Sequence, residues 1–422
     1  MLESNSHREE LLKSAVGDVQ ATASEIEDIY PCTPVQESLM ALSIQKPGTY
    51  VARYVYRIPV GVDLARFCNA WEMTVRAHPI FRTRIIERAP LGMFQIVLKS
   101  GIKLETAQSV RAYLASDMEK SMQFGTQLIR AGISGFSQEA SNAWFVITIH
   151  HALYDDWGLR VVLNDLERAY LGSNLQIRPF KSFVQYCLRA RAPESENFWR
   201  LELANMNATI PWTVPSARYI PSATMLLERA IKHKSGDDQN LTSAMVKAGW
   251  SLVLSQYTDA TEVLFGVTST GRQGHIPGLD VMSGVSIATT PLRTHVSPDM
   301  TVKDLVGKVF DQELRLLPHE HFGLSAISHL SADTAAACKF TCLLVMQPHA
   351  IIKSSILHEV TEEQDLQNHS TFGTYPLTLV CNQAADFIKV QAVYDQHIIP
   401  STQMNLILDQ FAHIMSEVTA TS

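Results

Sequence analysis

The sequence has few cysteines and no long apolar run, and each shortage excludes a class of protein. Six cysteines in 422 residues are too sparse for a disulfide framework. The most apolar stretches, such as Trp144–Ile149, are six residues long, whereas a membrane-spanning helix needs about 20. The N-terminus also lacks the apolar core of a secretory signal. We therefore expect a cytoplasmic protein with no membrane-spanning segment.

An excess of basic residues is also missing. The chain has 35 Lys and Arg against 42 Asp and Glu, which gives a net charge of −7. Binding to nucleic acid or to anionic lipid depends on a basic patch that neutralises phosphates. The charge balance therefore predicts that neither nucleic acid nor a membrane surface is a partner.

The composition is that of a globular protein, with 46% apolar and 18% charged residues. Residues 1–25 are polar and lack an apolar stripe, which indicates a linker or a loosely attached segment. Arg191–Glu196 contains proline, and Pro211–Pro221 is rich in proline and serine, so a domain boundary is expected near one of them. We place it after residue 190, which divides the remainder into 26–190 and 191–422.

Strand-like and helix-like patterns alternate in both parts, which predicts a layered α/β fold. The predicted strands are Val51–Ile58, Ala143–Ile149, Glu262–Thr268, Phe340–Met346 and Asp386–Tyr394. The predicted helices are Asp63–Ala77, Trp157–Tyr170, Leu241–Tyr257, Val302–Leu317 and Gln403–Val418.

The most informative stretch begins where the apolar strand Ala143–Ile149 ends. His150, His151, Asp155 and Asp156 fall within seven positions, just before a predicted helix. Successive side chains of a strand point to opposite faces, so the two histidines should diverge and are poorly placed to bind one metal. One can face a cavity while the other packs inward. From these residues alone, a structural histidine and a simple helix cap remain as open as catalysis.

The two acids have a similar choice of roles. Asp155 or Asp156 is suited to cap the following helix, because a carboxylate accepts the first backbone N–H groups and is favoured by the helix dipole. The other acid is then available to meet an arginine or to orient the loop.

A metal site elsewhere is not expected. His319-Glu320-His321 follows a proline and has no third ligand nearby in sequence, so a solvated turn is the favoured interpretation. Cys338 and Cys342 lack a second pair at zinc-ribbon spacing and are interpreted as core thiols.

The segment His-His-x-x-x-Asp after an apolar strand resembles the HHxxxDG motif of the condensation domains of nonribosomal peptide synthetases, which are related to chloramphenicol acetyltransferases. Other segments resemble further motifs of that family, in the family's order and in a style typical of fungal synthetases. The resemblance extends from about Ile26 to the C-terminus. The other segments that show the resemblance are Tyr30–Gln36, Arg76–Thr83, Gly271-Arg272 with Gly284–Arg293, and His319–His321 with Phe340–Gln347.

The resemblance implies two acetyltransferase-like lobes, 26–190 and 191–422, in a V with a central tunnel. It implies a transferase or ligase of secondary metabolite biosynthesis that joins a carrier-tethered acyl or peptidyl thioester to an amine. Peptidyl carrier domains and adjacent synthetase domains would be the partners. They would supply the phosphopantetheine arm, and this chain itself would bind no cofactor.

The resemblance also assigns residues. His151 matches the catalytic histidine and His150 its structural neighbour. Asp155 matches the aspartate that holds the loop through an arginine, for which Arg272 is the candidate. Trp157 follows as a structural or tunnel residue.

Two positions depart from the family's pattern. Asp156 stands in place of the usual glycine, where it could narrow the donor passage, and Ala288 replaces the usual asparagine near the tunnel floor. Alternatives therefore stay open: terminal cyclisation, ester formation, a stand-alone acyltransferase that uses acyl-CoA, or a catalytically silent module that docks carriers.

Overall fold

A computed structural model describes residues 5–135, 143–175, 177–216, 218–232, 239–274, 276–348, 354–360, 374–384 and 386–421. The strands are β1 (Ile26–Pro31), β2 (Val51–Ile58), β3 (Thr83–Arg88), β4 (Gly92–Leu98), β5 (Leu104–Thr106), β6 (Ile129–Ser134), β7 (Ala143–His150), β8 (Met225–Lys232), β9 (Glu262–Ser269), β10 (Ala288–His295), β11 (Cys342–Pro348), β12 (His358–Glu359), β13 (Leu377–Gln383) and β14 (Phe387–Tyr394).

The helices are α1 (Asn5–Asp18), α2 (Pro34–Gln45), α3 (Leu64–Ala77), α4 (Val110–Met118), α5 (Asp156–Leu171), α6 (Lys181–Ala190), α7 (Pro193–Glu202), α8 (Gln239–Thr258), α9 (Val302–Leu316), α10 (Leu324–Ser328), α11 (Ala332–Ala337) and α12 (Ser401–Thr421). The predicted α/β class is confirmed, and each predicted element has a counterpart whose ends lie within a few residues. Of the residues described, no helix is both long and apolar enough to span a bilayer.

The chain forms two compact units, and the first is discontinuous in sequence. The chain passes from the first unit to the second between residues 189 and 190, one residue from the predicted boundary. Two later segments, which the prediction assigned to 191–422, belong with the first unit because they pack and pair there. We call residues 276–286 the return segment. The first unit comprises 1–189, 275–286 and 351–370, and the second comprises 190–274, 287–350 and 371–422.

The main sheet of the first unit has the strand order β12-β2-β7-β6-β5. β7 lies at its centre, antiparallel to both neighbours, as its unbroken apolar sequence predicts. The ring of Phe145 on β7 meets the edges of Phe67 and Trp71 on α3, with centroids 5.1 Å apart in both cases. This aromatic contact anchors α3 to the strand that ends at the two histidines.

The described part of the N-terminal segment is packed against the fold, which its polar composition does not predict. Residues 1–25 were expected to be a linker or a loosely attached segment, but α1 packs on a smaller sheet of order β1-β4-β3. Leu11, Ala15 and Val19 are buried there, together with Phe94 and Ile96 of β4. A spacing of four residues places these three small or medium side chains on one helical face, which is too narrow a stripe to stand out in the sequence.

The second unit has the sheet order β10-β9-β11-β13-β14-β8. The helices α8, α9 and α12 share its core, in which Trp250 of α8 meets Phe411 of α12 edge-to-face at 5.4 Å. β11 runs parallel to β9 and β13 in the middle of the sheet, and such buried parallel strands need apolar side chains on both faces.

Candidate active site

The two neighbouring histidines lie where the central strand of the first unit ends. His150 is the last residue of β7, and His151–Leu153 form one turn of 3-10 helix before α5 begins at Asp156. The backbone N–H of His151 donates to the carbonyl of Tyr50 at 2.7 Å, one residue before β2. The predicted strand, turn and helix are confirmed, and main-chain bonding fixes the turn to the end of the sheet.

His150 is fully buried, and both of its ring nitrogens are engaged. Its Nδ1 accepts the backbone N–H of Ala152 at 3.0 Å, so Nε2 carries the hydrogen and donates to the Ser43 hydroxyl at 2.7 Å. Burial, with a smaller effect of His151, lowers the pKa of His150 to about 3. A neutral imidazole with both nitrogens bonded inside the core holds the turn in shape.

His151 is half-buried, and its ring is oriented by its own loop. The carbonyl oxygen of Tyr154 lies 2.6 Å from Nδ1, so Nδ1 carries the hydrogen and Nε2 is the basic nitrogen. Burial lowers the pKa of His151, while the Tyr154 carbonyl and the Asp155 charge oppose that shift. The imidazole is therefore neutral at pH 7 and has Nε2 as its acceptor.

Asp155 is buried and joins the histidine loop to a distant part of the chain. As the N-cap of α5, it accepts the backbone N–H of Gly158 on Oδ1 at 2.6 Å. Its Oδ2 accepts the backbone N–H of Ser286 at 2.7 Å and the hydroxyl of the same residue at 2.8 Å. The capping role was one of the sequence alternatives. Ser286 is a partner that the sequence did not identify, and the pairing with Arg272 stays a prediction.

The return segment is attached to the first unit at two further points. The indole N–H of Trp157 donates to the carbonyl of Asp280 at 2.7 Å. The buried His78 bonds the Ser283 hydroxyl through Nδ1 at 2.9 Å. Trp157 and His78 therefore both bond the return segment, and the role predicted for Trp157 as a structural or tunnel residue stays a prediction.

Close backbone approach explains two glycines at this junction. A Cβ added to Gly158 would lie 2.5 Å from the carbonyl oxygen of Gly284. Gly284 itself has φ near +121°, and a Cβ there would lie 2.3 Å from the ring of Phe180. Side chains are excluded at both positions, so the start of α5 and the return segment are in direct contact.

Gln36 supports the histidine turn from α2. Its amide donates to the carbonyl of Ala152 and to Gln95, both at 3.0 Å, while its oxygen accepts the backbone N–H of Thr33 at 2.9 Å. Gln36 is the last residue of the Tyr30–Gln36 motif and was not among the predicted site residues. The Thr33-x-x-Gln36 spacing of a capping box was the available signal for the helix start, but the contact with Ala152 is non-local.

Asp156, which stands where the family has glycine, is the first residue of α5 and is half exposed. It pairs with Arg160 at 3.2 Å, and the Arg160 guanidinium lies 5.3 Å from the ring centre of Trp157. Partial burial raises the pKa of Asp156, the Asp155 charge adds to that shift, and Arg160 opposes it. The departure therefore adds a carboxylate beside the histidine turn.

The other predicted residues lie in the second unit. Arg272 follows β9, and Ala288 is the buried first residue of β10, where it pairs with Ser269. The expected solvated turn at His319–His321 is wrong, because Glu320 and His321 are buried.

Glu320 and His321 are buried because both bond to the segment that runs from the end of β9 to Arg272. His321 donates from Nε2 to the carbonyl of Gly271 at 3.1 Å, and Ser269 donates to Glu320 at 2.8 Å. Of the two cysteines interpreted as core thiols, Cys342 is fully buried and Cys338 half-buried. Among the residues described, no group of three or more His, Cys, Asp or Glu side chains is arranged to hold a metal.

An α/β protein that presents a neutral, oriented imidazole at a strand end has a site suited to proton transfer or to hydrogen bonding of a reacting group. Residues 26–422 match the family model described as "Condensation domain". The chain belongs to the condensation domain family.

The chain is similar to nonribosomal peptide synthetases of fungi. It is 35% identical over 396 residues to the nonribosomal peptide synthetase otaB of Aspergillus carbonarius (strain ITEM 5010), covering 94% of this chain and 21% of that protein. It is 31% identical over 409 residues to the nonribosomal peptide synthetase dtxS1 of Metarhizium robertsii (strain ARSEF 23 / ATCC MYA-3075), covering 97% and 5%. The chain thus spans about a fifth or less of these relatives.

Solved structures show the same fold at low identity. "The crystal structure of CT" matches with a TM-score of 0.76 and 19% identity, over 100% of this chain and 96% of that one. "First condensation domain of the calcium-dependent antibiotic synthetase in complex with substrate analogue 3a" matches with a TM-score of 0.67 and 14% identity, over 93% and 97%. The predicted family and α/β fold are confirmed, whereas the V and its tunnel stay a prediction.

Proposed function

We propose that the chain catalyses amide-bond formation between an acyl or peptidyl thioester and an amine, with His151 acting on the amine. The observation that carries this proposal is the orientation of the His151 ring. Its Nδ1–H is committed to the Tyr154 carbonyl at 2.6 Å, so Nε2 is the nitrogen that accepts a hydrogen bond.

The charge state of His151 suits this reaction. An α-amine has a reference pKa of about 7.7–8.0, so part of it is neutral and nucleophilic at cellular pH. Burial keeps His151 neutral. As the nitrogen attacks the thioester carbonyl carbon, the C–N bond forms and Nε2 takes a proton from nitrogen. The proton then passes to the departing thiolate as the C–S bond breaks, and a thiol and an amide are released.

The surrounding contacts hold this geometry before substrate arrives. Gln36 bonds the Ala152 carbonyl within the histidine turn, and Asp155 fixes the start of α5 against Ser286. A preset base needs no reorganisation during the reaction, and general-base catalysis typically supplies about 10²–10⁴-fold. Orientation of two bound reactants supplies effective molarities of up to about 10⁵–10⁸ M.

Carrier domains are the proposed donors and acceptors, by analogy with the fungal synthetases that the chain resembles. In this proposal the phosphopantetheine arm is part of the tethered substrate, and the reaction takes place in the cytoplasm. Tethering raises the local concentration of each reactant. Terminal cyclisation would use the same histidine with an amine at the other end of the donor.

The test is product formation with a donor-loaded carrier and an amine-loaded carrier, followed by mass spectrometry. His151→Asn is the informative variant, because its amide can still donate to the Tyr154 carbonyl but has no basic nitrogen. We expect at least about a 100-fold loss of rate with an unchanged melting temperature. His329→Ala, at an exposed histidine of the second unit, is the matched control and should keep the full rate.

Three results would each contradict the proposal or one part of it. Wild-type rates in His151→Asn would remove the role of His151. Product formed equally well from free acyl-CoA would indicate a stand-alone acyltransferase, and a lack of product from every loaded pair, including donors with an internal amine, would indicate a docking module.

A further inference from the structure

A carboxylate and two phenols share one face of the first unit's main sheet, and a third phenol contacts one of them. Glu359 of β12 lies directly opposite Tyr56 of β2 in an antiparallel pair, so both side chains project from the same face. Tyr54, two residues earlier on β2, shares that face, and its ring lies near-parallel to that of Tyr56 at 6.5 Å. The hydroxyls of Tyr54 and Tyr154 are 3.1 Å apart.

Asp156 is included in this phenol–carboxylate cluster because, in addition to burial, its charge raises the pKa of Tyr54, Tyr56, Tyr154 and Glu359. It follows Tyr154 by two residues, and the ring of Tyr154 lies 5.0 Å from that of His151. The cluster of Tyr54, Tyr56, Tyr154, Asp156 and Glu359 is therefore adjacent to the proposed catalytic histidine.

The hydroxyl of Tyr56 supplies an independent sign of a ligand. Tyr56 is 1% exposed, and its hydroxyl has no hydrogen-bond partner among the residues that the structure describes. An unsatisfied buried polar atom is costly and uncommon in a native protein. The Tyr56 phenol is next to Tyr54 and opposite Glu359, so a group bound by this carboxylate lies within its reach.

The charges of the cluster indicate which kind of ligand group it would bind. Burial and then the Glu359 charge raise the pKa of Tyr56, and the Asp156 charge also contributes. Partial burial and the Asp156 charge raise the pKa of Glu359. The two carboxylates thus share one local field, and Arg160, which pairs with Asp156, neutralises half of their charge.

No ion pair among the described residues removes the remaining charge. Arg57 follows Tyr56 on β2 and faces the other side of the sheet, where it lies 5.2 Å from the ring centre of Trp144. Glu359 has no ion pair within the part of the chain that the structure covers. Aromatic rings beside a carboxylate suit an organic cation, because the ring faces also attract positive charge.

We propose that this cluster binds an organic cation, an ammonium or guanidinium group carried by the side chain of a substrate. Glu359 and Asp156 neutralise the cation, and the Tyr56 hydroxyl accepts one of its hydrogens. The assignment of the cation to a tethered substrate rests on the proposed function. The binding itself does not.

The test is calorimetric titration of the full chain with two stable probes. One is the cysteamine amide of Nα-acetyl-lysine, and the other is that of Nα-acetyl-norleucine, which lacks only the ammonium group. We expect the lysine probe to bind at least about fivefold more tightly. Glu359→Gln and Asp156→Asn should remove most of that preference, and Tyr56→Phe should weaken it by about tenfold, the lower end of the scale for a hydrogen bond to a charged group.

Two further variants separate binding from a general effect of charge or folding. Glu105→Gln removes an exposed carboxylate of β5 that pairs with Lys120, and it should keep the full preference. Arg160→Gln removes the internal cation from Asp156 and should strengthen binding of the lysine probe, an outcome that loss of structure cannot produce.

Equal affinity for the two probes, including no measurable affinity for either, would overturn the proposal. A preference that survives both Glu359→Gln and Asp156→Asn would also overturn it, because the cation would then bind elsewhere. Since no turnover is involved, either result leaves amide-bond formation to be decided by its own assay.

Discussion

The carboxylate of Asp155 accepts two hydrogen bonds from Ser286, which lies 131 residues further along the chain. The same carboxylate caps α5 through Gly158, so the turn that carries His151 and the return segment share one buried anion. Replacement of Asp155 should therefore affect both stability and the position of His151.

Asp155→Asn is expected to lower the free energy of unfolding by about 2–4 kcal/mol, because an amide cannot accept from all three donors and leaves buried groups unsatisfied. Asp156→Asn changes the next residue in the same way on an exposed side chain and should stay within about 0.5 kcal/mol. Urea denaturation measures both. Equal effects of the two variants would show that the contacts with Ser286 contribute little.

The pH dependence of the free energy of unfolding should show the effect of protonating His150. Its pKa is about 3 in the folded protein, against a reference value of about 6.5 in an unfolded chain. Below pH 6.5 the unfolded chain binds the proton and the folded one does not, so stability falls as pH falls.

We expect His150 alone to contribute a loss of about 1.4 kcal/mol per pH unit between pH 6 and pH 4. Unfolding free energies of the wild type and of His150→Gln, measured across this range, give that contribution as the difference of their slopes. Identical slopes would mean that His150 is not buried as a neutral group.

Two glycine-to-alanine substitutions should change the free energy of unfolding in opposite directions. Gly158→Ala places a Cβ 2.5 Å from the backbone oxygen of Gly284, which cannot move without displacing the return segment. We expect a loss of about 1–3 kcal/mol. Gly307, in the interior of α9, has nothing within 4 Å of its would-be Cβ, and Gly307→Ala should gain about 0.5–1 kcal/mol.

Melting temperatures check both glycine variants. Activity below the melting temperature should fall in Gly158→Ala and stay constant in Gly307→Ala. A Gly158→Ala protein that is as stable and as active as the wild type would show that the close contact with Gly284 relaxes at no cost.

Gln36→Leu should lower both stability and activity, because Gln36 supports the turn that carries His151. The change leaves the carbonyl of Ala152 and the side-chain oxygen of Gln95 without their buried donor, at a cost of about 2–4 kcal/mol. Gln45→Leu, on the exposed end of the same helix, is the matched control. A condensation assay and thermal unfolding, run on both variants, should show losses in Gln36→Leu alone. If Gln45→Leu loses as much, the effect belongs to α2 as a whole.

The local sequence pattern was sufficient to predict the strand and the helix that carry the site. The unbroken apolar run of β7 and the capped, amphipathic α5 could be placed within one or two residues. The turn between them followed from its polar sequence. These signals come from contacts close in sequence, which patterning reads directly.

Other elements depend on pairing that no local pattern encodes. β10 contains Pro291, which argues against a strand, yet β10 lies at the edge of its sheet, where a missing N–H is tolerated. β8 lies at the opposite edge and pairs with β14, far along the chain. The links of Gln36 to Ala152 and of Asp155 to Ser286 span more than 100 residues, so only the fold brings them together.

The return segment sets a practical limit on how this protein can be divided. A fragment that stops at residue 189 would lack Ser283 and Ser286, the groups that meet His78 and Asp155. Such a fragment exposes a buried carboxylate and a buried imidazole at once. Chimeras that exchange the N-terminal portion between condensation domains therefore require a discontinuous graft, in which residues 276–286 are transferred together with that portion.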